Sequence, residues 1–547
     1  MERTHGATLP VHLIDSHAQH RPNDVAIRYA EPDWENNGYR SVTWKQYADA
    51  VNKTAFWLDQ KLGKSTTPSP ETFAYWGPND LRYAFLMNAA MKTNRALLIP
   101  DGRVSSQGLA DLFAQSDCGV FITTEDNTPT AKMHGLPIVS IPSLEYFLDS
   151  QETPSYPFLK TFEEVKYDRV VVIHTSGTTG SPKPIFLTTG WFCTMDSFRV
   201  ISQNHQPRGI IFDDVIGSCL LSCCPPQWIA GLFAMTVTPL FLDCCTVLLP
   251  ADMTHPLDLS KTMKIITENK VTLVFTPPHL IEELYQLPEG LSLLKSLDSL
   301  CYAGAALDKT TGDNLCEFTN VRPFLGSTEA GPSPSLNPVD PRNWNSFDFV
   351  PEIGPRFEKV TDELYELHFD RDPPNQYNIF QGAFHTFPDR NTHATSELYT
   401  PVIDADGKTR WVLTCRKDDL TKLSWLAKFH AADIEKTITK HPAVQAVFVG
   451  GNGREVPFVI IQPVGELEKL TVEEQRKMVD EIYDSVVGQA IEDDIVEVKI
   501  PRQTVMLADP TRPFQRTLKM TLKRAEIEQD YKRDIDEMYQ IWTAQKA

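Results

Sequence analysis

The chain has 547 residues, of which 41% are hydrophobic and 23% charged; that is too long for one hydrophobic core and too near the globular average for a disordered or fibrous protein. A formal net charge of −20 repels a phosphate backbone at long range, which argues against broad nucleic-acid binding but leaves room for a local pocket that takes one nucleotide. Ten cysteines are scattered, with Cys223-Cys224 and Cys244-Cys245 in apolar surroundings and no CxxC pair at zinc spacing, a pattern of buried reduced thiols without a structural metal site.

The first residues, MERTHGATLPVHLIDSHAQHRPND, hold no apolar run of signal-peptide length, and the final QKA is not a peroxisomal address, so a cytoplasmic protein is expected. From residue 11 to 130 helical and strand patterns alternate: VTWKQYADAVNKTAFWL reads as a helix, and DLRYAFLMNAAMKTNRALLIP as a helix followed by a strand. The rhythm continues through DLFAQSDCGVFIT, DRVVVIHTS, KTMKIITENKVTLVF and SLDSLCYAG. It predicts an α/β fold with doubly wound sheets, whose ligands bind at the carboxyl ends of the strands. Val215 to Leu242 carries no charge and exceeds the ~20 residues of a membrane span, yet Pro225, Pro226, Gln227 and Pro239 divide it into pieces of core length, predicting buried strands and a helix and no membrane association. Between Gly331 and Gln381 the proline-rich text predicts loops and a β-rich subdomain. From about Arg416 a small α/β domain is expected: a helix around AADIEKTITKH, strands AVQAVFVGG and VPFVIIQPV, a helix over LTVEEQRKMVDEIYDSVV, and one closing helix over LKRAEIEQDYKRDIDEMYQIW. The predicted division is 1–415 and 416–547.

The strongest local signal is the run from Val170 to Lys183, a β-branched strand entering a loop of glycines and hydroxyls that closes on a lysine. Gly177 and Gly180 let the backbone approach an anion, Thr175, Ser176, Thr178 and Thr179 supply hydroxyls, and Lys183 supplies a point charge. Ser181 and Pro182 separate Gly180 from Lys183, so the spacing is not that of a P-loop, and a kinase transferring a γ-phosphoryl group is disfavoured. By itself the loop also fits a Ser/Thr/Gly-rich surface turn.

HTSGTTGSPKP resembles the phosphate-loop signature of the adenylate-forming superfamily, the acyl-CoA synthetases, nonribosomal peptide synthetase adenylation domains and luciferases. The resemblance runs from LIDSHAQHRPNDVAI to Tyr539. It implies a large N-terminal adenylation domain, a small mobile C-terminal domain, and ATP with Mg²⁺. Tyr302-Ala303-Gly304-Ala305-Ala306-Leu307 resembles the family's adenine strand, and Leu325-Gly326-Ser327-Thr328-Glu329 resembles its acidic motif, in which Thr328 would contact phosphate and Glu329 would hold the metal. A carboxylate suits that task, because Mg²⁺ takes oxygen ligands from one or two carboxylates plus substrate phosphates; read alone, the same residues form a helix-starting capping box. The segment from Trp411 to Lys422 resembles the inter-domain hinge, with Arg416 on ribose and Asp418 at the swivel, although RKDD by itself is an ordinary exposed charge cluster. Arg516 to Arg524 is similar to the terminal motif, which makes Lys519 the catalytic lysine for the substrate carboxylate and α-phosphate and leaves Lys523 and Arg524 as a solvated face.

Within the superfamily the chain looks most like adenylation domains of fungal nonribosomal peptide synthetase-like enzymes and carboxylate reductases. Only 28 residues follow Lys519, so the acyl acceptor is expected to be CoA, a separate phosphopantetheine carrier protein, an amine, or a domain outside this chain. Several positions depart from the family pattern. Leu325 stands where an aromatic residue usually stacks on adenine, with Phe324 beside it; Glu397 replaces the shorter ribose-binding acid; Cys415 and Leu426 replace glycines, and Leu426 puts ordinary thioester formation in doubt. Trp228, in Pro225 to Gly231, takes the position at which amino-acid-activating relatives clamp the substrate amine. Together with Gly231 and Ala303 it predicts a pocket for a small or planar aryl acid, although a core tryptophan beside the pocket fits equally. The sequence thus predicts ATP-dependent adenylation of a carboxylic acid, probed against a second reading: a catalytically impaired nucleotide- or partner-binding relative.

Overall fold

Short β-branched and aromatic runs bounded by glycine and polar turns become parallel strands buried on both faces, as the alternation with helices requires. The computed structural model describes residues 4–101, 104, 106–127, 135–149, 153–176, 182–417, 420–424, 428–465, 467–488, 498–516 and 522–546. The chain divides into two compact units, one built on Met1–Thr175, Ser181–Thr395 and Thr400–Leu413, the other on Thr414–Ala547 together with the short stretches Ser176–Gly180 and Ser396–Tyr399.

The first unit holds two doubly wound sheets. A seven-stranded sheet runs in the order Asn320–Pro323, Ser299–Tyr302, Leu273–Thr276, Cys219–Ser222, Cys245–Leu248, Val25–Ala30, Tyr39–Thr43, parallel except for its last pair. A six-stranded sheet runs Ile138–Ser140, Cys118–Thr123, Glu71–Trp76, Arg95–Leu98, Arg169–Ser176, Pro182–Thr188. Leu273–Thr276, Ser299–Tyr302 and Arg95–Leu98 are buried at every position. The predicted helix over VTWKQYADAVNKTAFWL forms as Trp44–Leu62, started by a capping box between Thr43 and Gln46. The uncharged segment becomes the strand Cys219–Ser222, a loop at the two prolines, and helical turns from Ile229 to Phe241. Among the described residues no helix is long and apolar enough to cross a membrane.

The β-rich part is wider than the proline-rich text suggested. Its five-stranded sheet, in the order Ser346–Phe347, Thr409–Arg416, Thr392–Ile403, Tyr365–Asp370, Pro355–Lys359, takes its two longest strands from beyond Gln381.

The second unit packs a three-stranded sheet of Val444–Gly450, Phe458–Pro463 and Val505–Leu507. Because side chains alternate along a strand, its two faces bury different sets. Val447, Val449, Val459 and Ile461 join Ile434, Ile438 and Ile482 in one core, while Ala446, Phe448, Phe458 and Ile460 join Ile527, Tyr531, Ile535, Met538 and Tyr539 in another. The expected single closing helix is two, Arg524–Asp530 and Lys532–Lys546. The break falls at Tyr531, 1% exposed, whose hydroxyl donates to the Arg512 carbonyl at 2.6 Å; anchoring that ring costs the helix its continuity. Arg524 is likewise no solvated face: its guanidinium lies 2.9 Å from the half-buried Glu435 carboxylate and over the Phe448 ring.

Candidate active site

Three of the predicted segments emerge from the carboxyl ends of strands in the seven-stranded sheet. Tyr302 and Pro323 are register partners on neighbouring strands, so the chain leaving each enters the same edge, and the Phe324 N–H donates to the Tyr302 carbonyl at 2.8 Å. Ala303 is half-buried and Gly304 and Ala305 are exposed; Gly304 has φ +93°, a left-handed turn that favours glycine. After Phe324 comes a two-stranded hairpin, Gly326–Ser327 against Gly331–Pro332, in place of a helix start. A Cβ on Gly326 would lie 2.7 Å from the Gly331 carbonyl oxygen, so only glycine closes the hairpin. Its turn is held by Ser327 Oγ, which accepts from the Ala330 N–H at 3.0 Å, and by Thr386 Oγ1, which donates to the Glu329 carbonyl at 2.7 Å.

This leaves Leu325, Thr328 and Glu329 half-buried on the turn, and among the described residues the Glu329 carboxylate has no hydrogen-bond or ion-pair partner. A half-buried carboxylate without a counter-charge suits a divalent cation that brings further oxygen ligands from a bound phosphate. Phe324 supplies no stacking surface: it is 7% exposed and its ring packs 4.5 Å from Phe212 and 5.3 Å from Phe275, centroid to centroid.

The strand Cys219–Ser222, two places along the same sheet from Ser299–Tyr302, leads into the Trp228 loop. Gly231 is buried there, and a Cβ on it would lie 2.1 Å from the Pro225 carbonyl oxygen, so its smallness lets the loop fold back on itself. Trp228 is half-buried and stacks on His255 with centroids 5.7 Å apart and planes at 19°. His255 Nε2 donates to the Cys223 carbonyl at 2.8 Å. Among the described residues the Trp228 Nε1 is buried without a hydrogen-bond partner, an unusual state for an indole. Gln227, which the sequence did not single out, ties this loop to the other sheet: its Nε2 donates to Asn79 Oδ1 at 2.9 Å and to Tyr83 Oη at 3.0 Å.

In the six-stranded sheet, Thr175 is half-buried near the end of Arg169–Ser176 and Lys183 is exposed at the start of Pro182–Thr188. His174 accepts from the Asp101 N–H through Nε2 at 3.1 Å, and burial holds its pKa below the ordinary value, so it is neutral at pH 7 and positions the strand end. Gly177, Thr178, Thr179, Gly180, Asp418, Leu426 and Lys519 lie outside the described residues, as does the side chain of Ser176. Arg416 is exposed and Glu397 half-buried. Tyr399 Oη donates to Glu397 Oε2 at 2.9 Å; full burial, reinforced by that carboxylate, pushes the phenol well above its ordinary pKa and keeps it a donor that orients the acid. Tyr399 and His255 also escaped the sequence reading, since neither belongs to a motif.

Open parallel sheets carrying a glycine turn and, at one edge, a carboxylate unpaired among the described residues, followed in the chain by a small α/β unit, make the architecture of the adenylate-forming enzymes. The chain belongs to the AMP-binding enzyme family, whose pattern matches residues 14–357, while the C-terminal domain of AMP-binding enzymes matches residues 418–542. It is 28% identical over 534 residues to the isocyanide synthase-NRPS hybrid crmA of Aspergillus fumigatus, covering 95% of this chain and 33% of that protein. It is also 28% identical over 547 residues to a carboxylic acid reductase of Neurospora crassa, covering 98% of this chain and 51% of that protein. The chain thus spans about a third to a half of the length of these relatives. Among solved structures, the anthranilate CoA ligase AuaEII in complex with anthranoyl-AMP has a TM-score of 0.68 at 18% identity, over 96% of this chain and 97% of that one, a likeness of fold.

Proposed function

We propose that this chain activates a carboxylic acid with ATP: a carboxylate oxygen attacks the α-phosphorus in line, the bond to the bridging oxygen breaks, and pyrophosphate leaves an acyl adenylate. The observation that carries the reading is the Glu329 carboxylate, without a hydrogen-bond or ion-pair partner among the described residues, on the hairpin turn that follows the Ala303–Ala305 turn's neighbouring strand, at the carboxyl edge where doubly wound sheets bind ligands. Thr175, Ser176, Thr178, Thr179, the backbone at Gly177 and Gly180, and Lys183 cradle the phosphates. Gly304, Ala305, Leu325, Gly326 and Ser327 bound the adenine, Thr328 meets phosphate, and Glu397 and Arg416 hold the ribose. Glu329 would hold Mg²⁺, which when bound offsets charge on the leaving pyrophosphate. Lys519 stabilises charge on the α-phosphate, and Asp418 marks the hinge between domains 1–415 and 416–547.

The acid is an aryl or other non-amino acid, bounded by Trp228, Gly231 and Ala303. The acyl group then passes to CoA, to a separate carrier protein or to another nucleophile. The relative named a carboxylic acid reductase, about half of whose length this chain spans, favours a carrier or reducing partner downstream of activation.

The test is carboxylate-dependent pyrophosphate release across aryl, keto, fatty and amino acids, with Lys519→Ala and Glu329→Ala as controls and CoA set beside hydroxylamine as acceptor. A signal lost in both variants supports adenylation and names the substrate class. Silence across the panel with folded protein transfers the case to a nucleotide- or partner-binding relative.

A further inference from the structure

We propose that Cys219 and Cys245 form a peroxide-oxidisable dithiol, with Cys219 the attacking thiolate, Cys245 the resolving thiol, and Arg28 the charge that favours the attack. The proposal does not depend on the adenylation reading.

The two cysteines are direct register partners on neighbouring parallel strands, at the first position of each. Parallel neighbours in register project their side chains to the same face, with backbones about 4.8 Å apart, inside the Cα separation of roughly 4.4–6.8 Å that a disulfide spans. Both are half-exposed, whereas Cys223 and Cys244, which flank the same two strands, and Cys301, on Ser299–Tyr302, are buried. The third strand of the set is Val25–Ala30, on which Arg28 pairs with Val247, two residues from Cys245 and therefore on the same face. Arg28 Nη1 donates to the Asn269 carbonyl at 3.0 Å, and the Cys219 thiol donates to the same oxygen at 3.6 Å, so guanidinium and sulfur meet at one atom.

A partly exposed thiol beside a fixed cation is the setting in which cysteines become nucleophilic. A hydrogen bond from the Cys245 thiol, with Arg28 assisting, holds the Cys219 pKa below its ordinary value against the opposing effect of burial. Cys245, as the donor in that bond, keeps its proton. Cys224, also half-exposed, lacks a register-partner thiol and serves as the internal comparison.

The chemistry balances with a hydroperoxide as oxidant. The Cys219 thiolate attacks one peroxide oxygen, the O–O bond breaks, and the sulfur becomes a sulfenic acid as hydroxide leaves and takes up a proton. Cys245 sulfur then attacks Cys219 sulfur, the S–O bond breaks, and the Cys245 proton leaves with the hydroxyl as water. The two thiols give up two electrons and the peroxide is reduced to two waters, or to water and an alcohol for an alkyl hydroperoxide.

The experiment uses the full chain, reduced and then treated at pH 7 with limiting iodoacetamide, every cysteine being followed by peptide mass spectrometry. Cys219 is expected to alkylate several-fold faster than Cys224, as a thiol beside a fixed cation and a donor thiol should, and Arg28→Gln is expected to slow Cys219 while leaving Cys224 unchanged. Equimolar hydrogen peroxide is expected to give a Cys219–Cys245 linked peptide that dithiothreitol reverses. In Cys245→Ser the same treatment should leave a dimedone-reactive sulfenic acid at Cys219. Alkylation of Cys219 no faster than Cys224 in the wild-type chain, or peroxide treatment that leaves both thiols free, overturns the proposal whether or not either variant folds.

Discussion

At the scale of single residues, Glu329 and Gln227 do different work and fail in different ways. On the proposed reading Glu329 gives its charge to a bound cation, and Glu329→Gln keeps the hairpin and its hydrogen bonds, which use the Ser327 hydroxyl and the residue-329 carbonyl. The expected outcome is a loss of about 10²–10³ in the rate of pyrophosphate formation, of the order seen when one transition-state charge partner is removed, with the melting temperature unchanged; equal activity removes Glu329 from the reaction. Gln227 works through Trp228. Gln227→Leu leaves Asn79 and the buried Tyr83 hydroxyl short of a partner, at a cost of about 1–3 kcal/mol, and frees the loop that holds the indole against His255. The KM for the acid is expected to rise several-fold while that for ATP stays put, and Gln227→Glu, whose carboxylate cannot donate to the Asn79 and Tyr83 oxygens, is expected to raise it likewise; steady-state kinetics with each substrate varied separately separates this from a general loss of stability. Motif order singles out Glu329, Thr328 and Trp228, and the structure puts all three half-buried on loops leaving the carboxyl ends of strands in one sheet. Gln227 was not legible, because its partner Tyr83 lies 144 residues away, and no local spacing encodes such a tie. Phe324 shows the reverse: an aromatic residue adjacent to the acidic motif belongs to the core with Phe212 and Phe275, and only packing decides which neighbour faces the ligand.

At the scale of elements, local periodicity predicted most helices and strands of the first unit, down to the capping box at Thr43, because amphipathic pattern and cap chemistry act within a few residues. The closing helix was over-read for the same reason: Arg524 to Trp542 keeps a helical pattern throughout, while the anchoring of Tyr531 by the Arg512 carbonyl is tertiary. Arg524 was misjudged as solvated because charge alone does not reveal a buried partner. Glu435 is pinned between Arg524 and the Val449 N–H, which donates to it at 2.7 Å, and burial raises its pKa while Arg524 opposes the rise. Arg524→Ala removes the counter-charge and is expected to destabilise the second unit by about 2–3 kcal/mol, the lower end for breaking a buried pair because the arginine is partly solvated. The pH dependence has a definite sign. Without Arg524 the folded-state pKa of Glu435 climbs further above its unfolded value, so burial of the ionised form costs stability as pH rises through that range and the cost disappears when the group is protonated. Urea midpoints should therefore differ more between wild type and variant at pH 8 than at pH 5; a gap that is equal at both would show that Arg524 acts by packing on Phe448 alone.

At the scale of the whole molecule, the question is whether the second unit owns its stability. Both cores that sandwich its three-stranded sheet consist of residues from Leu423 onward, and the alternation of Val447, Val449, Val459 and Ile461 against Ala446, Phe448, Phe458 and Ile460 gives each face its own helical cover. A sheet buried on both faces by helices from its own stretch of chain meets the condition for autonomous folding, and at this length the surface buried suffices for a marginal but cooperative domain. Expressed as Thr414–Ala547, the unit is expected to unfold in one cooperative thermal transition and to protect the amides of Val459, Ile460 and Ile461 from hydrogen exchange most strongly, since the central strand is hydrogen-bonded on both edges. The same strand amides should be the slowest in the full chain. If the isolated segment instead shows no cooperative transition while the full chain protects those amides, the sheet depends on the rest of the protein, and the two-core packing of residues 423–542 is insufficient to hold it.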